Sequence, residues 1–224
     1  MNYEIIESES FEEFVQKGVD IIIRYSLKTL DAKNRLSMVL SGGRTPPFFF
    51  KKLVESDLNL LDWGKVDFFW SDERCIDPHH LESNFWSAQN HLISKLPQTG
   101  EIHQIKGTLK PSVAAENYKE DIDCYLRKNK VKGFDIAILG MGEDGHVASI
   151  FPPVTEKHKT AKVFSTNKEH NLFYRVSLGL PTINNIKIKL LLVNNRKKHD
   201  VFFKSKTKLP VHLIKWDKVL ILNQ

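Results

Sequence analysis

The chain has 224 residues, 41% of them apolar, and carries 33 basic and 27 acidic side chains for a formal charge of +6. That length suits the core of one α/β domain, and no apolar run reaches the roughly 18 residues of a membrane-spanning helix. The start, Met1–Glu7, lacks the basic and apolar blocks of a secretory signal, and the isolated Cys75 and Cys124 suggest neither a disulfide framework nor a zinc site, which fits a reducing cytoplasm.

Helical spacing of Phe11, Phe14, Val15, Val19, Ile22 and Ile23 predicts a helix over Phe11–Leu30. A strand at Leu36–Leu40 runs into Ser41-Gly42-Gly43-Arg44-Thr45-Pro46-Pro47. Thr45 is a good N-cap and Pro46 suits the first turn of a helix reaching about Glu55. A second strand, Val66–Trp70, ends in Ser71-Asp72-Glu73-Arg74, and a helix follows near Asn84–Leu92. The next helix, Ser112–Lys128, turns Val113, Tyr118, Ile122 and Leu126 toward the core. A third strand, Phe134–Leu139, enters Gly140-Met141-Gly142-Glu143-Asp144-Gly145-His146, with a short helix expected to open near His146. Strands at Lys162–Ser165, Leu172–Ser177, Ile188–Val193 and Val219–Leu222, and helices starting at Pro181 and spanning Lys197–Lys204, complete the pattern. Such alternation implies a largely parallel sheet covered on both faces.

Three of these strands share a plan: an apolar run that turns glycine-rich or charged at its carboxyl end. In a parallel sheet those ends lie on one side, where open α/β folds bind ligands. The Ser41–Pro47 loop presents backbone N–H groups ahead of a helix, as anion sites do. It has neither the Walker ending nor dinucleotide glycine spacing, and alone it also reads as a turn. Asp72-Glu73-Arg74 is equally a solvated charge run. The third loop sets two acids beside His146, the side chain best suited to proton transfer near neutrality; the competing reading is a glycine turn with a capping histidine. Arg175, in an apolar strand, needs an anionic partner, either phosphate or a structural carboxylate. His79 and His80 are adjacent and have no matching carboxylate spacing, so no metal is expected there. Cys75 stands beside Arg74, whose charge favours a thiolate, but it reads better as a passenger thiol. Lysines scattered among acids, with short clusters at 128–132 and at Arg196-Lys197-Lys198, give no nucleic-acid motif.

The order Ser41-Gly42-Gly43-x-Thr45-Pro46, then Ser71-Asp72-Glu73-Arg74 with Ser83-Asn84, then Leu139-Gly140-x-Gly142-x-Asp144-Gly145-His146-x-Ala148-Ser149-x-Phe151-Pro152, resembles the 6-phosphogluconolactonase family over nearly the whole chain. The first two motifs are shared with the related glucosamine-6-phosphate deaminases. Those enzymes typically carry an asparagine and a glutamate soon after the glycine-histidine pair, whereas here no acid follows until Glu156. Arg44 replaces a usual serine, Val147 a usual threonine, and Asn195 stands where glycine is frequent.

The resemblance implies one Rossmann-like, three-layer α/β domain over residues 1–224 with a mostly parallel sheet. It implies hydrolysis of 6-phospho-D-glucono-1,5-lactone in the oxidative pentose phosphate pathway, by a cytoplasmic monomer or homodimer without cofactor, metal, nucleic acid or membrane partner. His146 is the expected general base. Asp144 orients His146 or the sugar hydroxyls, and Asp72 is the second candidate for the hydroxyls. Arg74, Arg175 and Lys198, with Ser41, Gly42, Gly43 and Thr45, are expected to hold phosphate or balance charge; a small register shift would replace Lys198 with Arg196 or Lys197. The alternatives are a sugar-phosphate isomerase or deaminase, with Asp72 as the base, and a non-catalytic sugar-phosphate sensor.

Overall fold

The computed structural model describes residues 3–56, 58–167 and 172–223. Strand β1 (Glu4–Ser8) leads into helix α1 (Phe11–Lys33), whose N-cap Ser10 accepts from the Glu13 N–H and whose C-cap Asn34 takes the left-handed conformation. Then come β2 (Leu36–Leu40), α2 (Pro46–Glu55), β3 (Val66–Trp70), β4 (Asp72–Arg74), α3 (Asn84–His91), β5 (Ile102–His103) and α4 (Pro111–Lys128). The second half contributes β6 (Ile136–Gly140), α5 (Glu156–Thr160), β7 (Val163–Ser165), β8 (Arg175–Leu178), α6 (Leu180–Asn184), β9 (Ile188–Val193), α7 (Arg196–Lys204) and β10 (Lys218–Leu222).

Seven strands pair in the order β1-β10-β9-β6-β2-β3-β5, every pair parallel. All residues of β2 and β3 are buried, which explains why each is apolar but for one partnered polar residue, Ser37 and Asp67. Strand order reverses between β2 and β6. From β2 the chain proceeds to β3 on one side; from β6 it proceeds to β9 and β10 on the other. The loops leaving β2 and β6 therefore diverge and open a crevice at their carboxyl ends, the position where such folds bind ligands. A second sheet, β4-β8-β7, is antiparallel and places Arg74 opposite Arg175.

At the other end of the strands, buried charges tie the sheet together. Asp67 accepts from Arg35 and Tyr125, and Asp135 accepts from Ser37 and pairs with Lys33 at 2.7 Å. Each buried carboxylate thus has the partners that its desolvation requires.

The pattern of alternating elements is as the sequence implied, but strands β1 and β5 and helix α5 are additions to it, and four expectations change. No helix opens at His146: residues 141–150 form turns and isolated bridges, Met141 to Val147 and Val147 to Ile150. Val113 is exposed rather than turned into the core; Pro111 starts α4 one residue early, and Ala114, Ala115, Tyr118, Ile122 and Tyr125 form the buried stripe. The charged run Asp72–Arg74 is a strand paired to β8, not a solvated turn. The strand expected from Leu172 begins at Arg175.

Candidate active site

The crevice between the loops after β2 and β6 gathers nine of the ten predicted residues in its wall: Ser41, Gly42, Gly43, Thr45, Asp72, Arg74, His146, Arg175 and Lys198. The tenth, Asp144, stands directly behind His146. Its Oδ1 lies 2.6 Å from His146 Nδ1 and 3.2 Å from the His146 backbone N–H. Burial alone would raise the Asp144 carboxyl, but the hydrogen bond and charge of His146 outweigh it and hold the group below its ordinary value. An ionised carboxylate only accepts, so Nδ1 carries a proton, and in the neutral imidazole the lone pair is on Nε2. Glycine at position 142 is what lets this pair form: a Cβ there would stand 2.3 Å from the imidazole and 2.5 Å from Asp144 Oδ1. The glycine-turn reading holds as well, since Gly145 has φ +79°, but no helix follows for the histidine to cap.

Asp72 is buried and well satisfied. Its Oδ2 accepts from Ser149 Oγ at 2.6 Å, its Oδ1 from Ser71 Oγ at 3.0 Å, and Arg175 Nη1 lies 3.7 Å from Oδ2. Ser149 follows Ala148, which sits at φ +51°, a conformation costing an L-residue roughly 1–2 kcal/mol. The neighbouring Glu73 does not face the crevice. It accepts from Ser83 Oγ and from the backbone N–H groups of Asn84 and Phe85, anchoring the start of α3. That anchor carries Asn84 to the crevice, where Nδ2 donates to the Asp72 carbonyl at 2.8 Å. Asn84 packs so closely on the first loop that a Cβ at Gly42 would lie 1.7 Å from its Oδ1.

The cations converge from separate elements. Arg175 is buried, with its guanidinium 5.7 Å over the Phe151 ring and close to Asp72. The predicted choice between phosphate and a structural carboxylate for Arg175 is therefore not exclusive: Asp72 is a near neighbour and the side chain still lines the crevice. Arg74 Nη1 donates to the Glu82 carbonyl, while its Nε is buried without a hydrogen-bond partner among the described residues. Burial pushes the Lys198 ammonium below the ordinary lysine range, and nearby Arg44 adds to this against the pull of Glu143. Lys198 alone of its basic trio reaches the crevice. Arg196 pairs with Asp200 and Lys197 with Glu143, both on exposed surface. Asn195 has extended backbone and caps α7 by accepting from the Lys198 N–H at 2.9 Å, so the loop there does not need glycine.

Thr45 departs from its expected role. Its side chain makes no capping bond to α2; its Oγ1 instead accepts from Asn194 Nδ2 at 2.9 Å. At Cys75, burial, followed by the charge of Glu73, pushes the thiol up to about 11, although Arg175 opposes the shift. His79 and His80 lie exposed, and His80 Nδ1 accepts from the Glu82 N–H. Asn84 and Ser149 were visible only as motif companions with no role attached, and Asn194 carried no signal at all. Chemically, the crevice offers a base backed by a carboxylate at one end and guanidinium, ammonium and backbone donors for an anion around it.

Residues 9–221 match the family model described as glucosamine-6-phosphate isomerases/6-phosphogluconolactonase. The 6-phosphogluconolactonase of Treponema pallidum (strain Nichols) is 36% identical over 176 residues, covering 77% of this chain and 73% of that protein. The 6-phosphogluconolactonase of Thermotoga maritima is 34% identical over 173 residues, covering 76% and 74%. Its crystal structure superposes with a TM-score of 0.84 over 99% of this chain and 100% of that one, at 28% identity in the structural alignment. The 6-phosphogluconolactonase structure from Trypanosoma cruzi gives a TM-score of 0.82 at 26% identity, covering 99% and 95%.

Proposed function

The chain belongs to the family of glucosamine-6-phosphate isomerases and 6-phosphogluconolactonases, and from that premise we propose that it hydrolyses 6-phospho-D-glucono-1,5-lactone to 6-phospho-D-gluconate in the pentose phosphate pathway. The single observation that carries this reading is the His146–Asp144 pair facing a crevice walled by Arg74, Arg175 and Lys198. Ester hydrolysis needs a water made nucleophilic, a stabilised carbonyl oxyanion and, for this substrate, a hold on phosphate.

His146 Nε2 takes a proton from water as the oxygen attacks C1 of the lactone; Asp144 fixes the ring and balances the imidazolium that forms. Collapse of the tetrahedral intermediate breaks the C1–ring oxygen bond, and the same imidazolium returns the proton to the departing hydroxyl. Lys198, Thr45 and the N–H groups of Gly42 and Gly43 receive the phosphate, with Ser41 bracing the loop by donating to the Ile138 carbonyl at 2.8 Å. Arg74 and Arg175 offset the charge developing on the carbonyl oxygen or bind the phosphate edge. Asp72, held as an acceptor by Ser149 and Ser71, meets sugar hydroxyls. The scheme uses side chains and water only.

The chain is read as one domain acting on a small phosphosugar, in the cytoplasm, as a monomer or homodimer. Its two free cysteines support a reducing setting, and no helix among the described residues is long and apolar enough to cross a membrane. The test is a direct comparison of lactone hydrolysis with ammonia release from glucosamine 6-phosphate. The reading expects hydrolysis well above the spontaneous background and no ammonia; the reverse assigns the deaminase chemistry, and binding without either assigns a sensor.

A further inference from the structure

Asn194 lies at the carboxyl end of β9, behind the crevice rather than in its wall, and bridges two residues that do line it. Its Oδ1 accepts from Lys198 Nζ at 2.7 Å, and its Nδ2 donates to Thr45 Oγ1 at 2.9 Å. The amide orientation is not arbitrary. A lysine ammonium has no lone pair, so the carbonyl oxygen must face it. The amide nitrogen then faces Thr45, which must accept. A threonine hydroxyl that accepts at its oxygen has its proton to give elsewhere, and no other residue among those described receives it: the Thr45 side chain makes no bond to the start of α2. The charge on Lys198 thus sets, through Asn194, which way the Thr45 hydroxyl points its hydrogen.

We infer that Asn194 is a positioning residue that turns Lys198 and Thr45 into a paired set of donors for the substrate phosphate. The inference rests on the reading of this crevice as a phosphosugar site. Lys198 keeps two of its three N–H groups for ligand, since Asn194 takes one. Thr45, otherwise equally able to accept or donate, is committed to donating. Both side chains are held in register because the bridge joins Thr45, just ahead of α2, to Lys198 in the first turn of α7, two parts of the crevice wall.

An isosteric change tests this polarity. In Asn194→Asp the carboxylate accepts from Lys198 as before, but it also accepts from Thr45, whose hydroxyl proton is then turned away from the ligand. The experiment is a double-mutant cycle of Asn194→Asp and Thr45→Val, read as kcat and KM for the 6-phosphorylated lactone and as affinity for 6-phosphogluconate and for gluconate. With Asn194 intact, Thr45→Val is expected to raise KM about tenfold with little change in kcat, as loss of a hydrogen bond to a charged group does. Added to Asn194→Asp, Thr45→Val is expected to change KM less than about twofold, because the hydroxyl has already been withdrawn. Additive effects of the two substitutions overturn the relay. Asn194→Leu serves as the second variant: it leaves Lys198 unpinned and is expected to raise KM without reversing Thr45, so Thr45→Val keeps part of its effect there. A wild-type protein that binds gluconate as well as 6-phosphogluconate overturns the phosphosugar reading itself, and the relay with it. A clear phosphate preference combined with additivity overturns the relay alone.

Discussion

Asp144 Oδ1 meets His146 Nδ1 at 2.6 Å, the shortest polar contact made by either side chain. The two residues are only two apart in sequence, so the contact is local and depends on the turn that Gly142 permits. It decides the tautomer. With the proton on Nδ1, Nε2 is the basic atom.

Asp144→Asn should therefore damage catalysis more than its small change in shape suggests. The amide can donate to Nδ1 and leave the proton on Nε2, where it blocks base catalysis. A loss of about 10²–10³-fold in kcat is expected, within the range that general-base assistance contributes, while affinity for 6-phosphogluconate stays within a few-fold. Steady-state rates corrected for spontaneous hydrolysis, with calorimetric binding of product, check this. A kcat within twofold of wild type would separate Asp144 from the mechanism.

Product affinity should weaken at alkaline pH sooner than an ordinary lysine allows. Burial lowers the Lys198 pKa, so its charge is present below that value and lost as pH rises through it. Binding of the phosphate dianion favours the charged form, hence affinity is greatest below the free-enzyme pKa and declines above it. Calorimetry with 6-phosphogluconate from pH 7 to 10 should record the decline, and Lys198→Arg should flatten it because guanidinium stays protonated. An equally flat wild-type profile would take Lys198 off the phosphate.

Much of this site was legible before the fold. Strands β2, β3 and β6 announce themselves as apolar runs, and their polar ends carry the residues that the crevice gathers. What escaped depends on long-range placement. Asp72–Arg74 reads as a charged turn until β8 pairs with it. Val113 is apolar, but five residues before Tyr118 it lies off the buried stripe of α4 and stays exposed. Thr45 suits an N-cap, yet Asn194, 149 residues away, claims its hydroxyl oxygen. Local chemistry is written in local sequence; who buries or bonds whom across the sheet is not.

Arg175→Ala should weaken substrate capture without unfolding the chain. Asp72, the buried acid beside it, retains Ser149 and Ser71 as donors. Hydrogen bonds to charged groups contribute roughly 1.5–3 kcal/mol, so kcat/KM for the phosphorylated lactone should fall about tenfold or more. Circular dichroism confirms the fold, and kinetics give the loss. An unchanged kcat/KM would reduce Arg175 to a structural partner of Asp72.

The most direct measurement is the hydrolysis rate of 6-phospho-D-glucono-1,5-lactone by folded His146→Ala beside wild type, with the spontaneous rate subtracted at each pH. The expected loss in kcat is about 10²–10⁴-fold, with 6-phosphogluconate still bound. Turnover by His146→Ala close to wild type would overturn the role of His146 as base and make Asp72 the leading candidate.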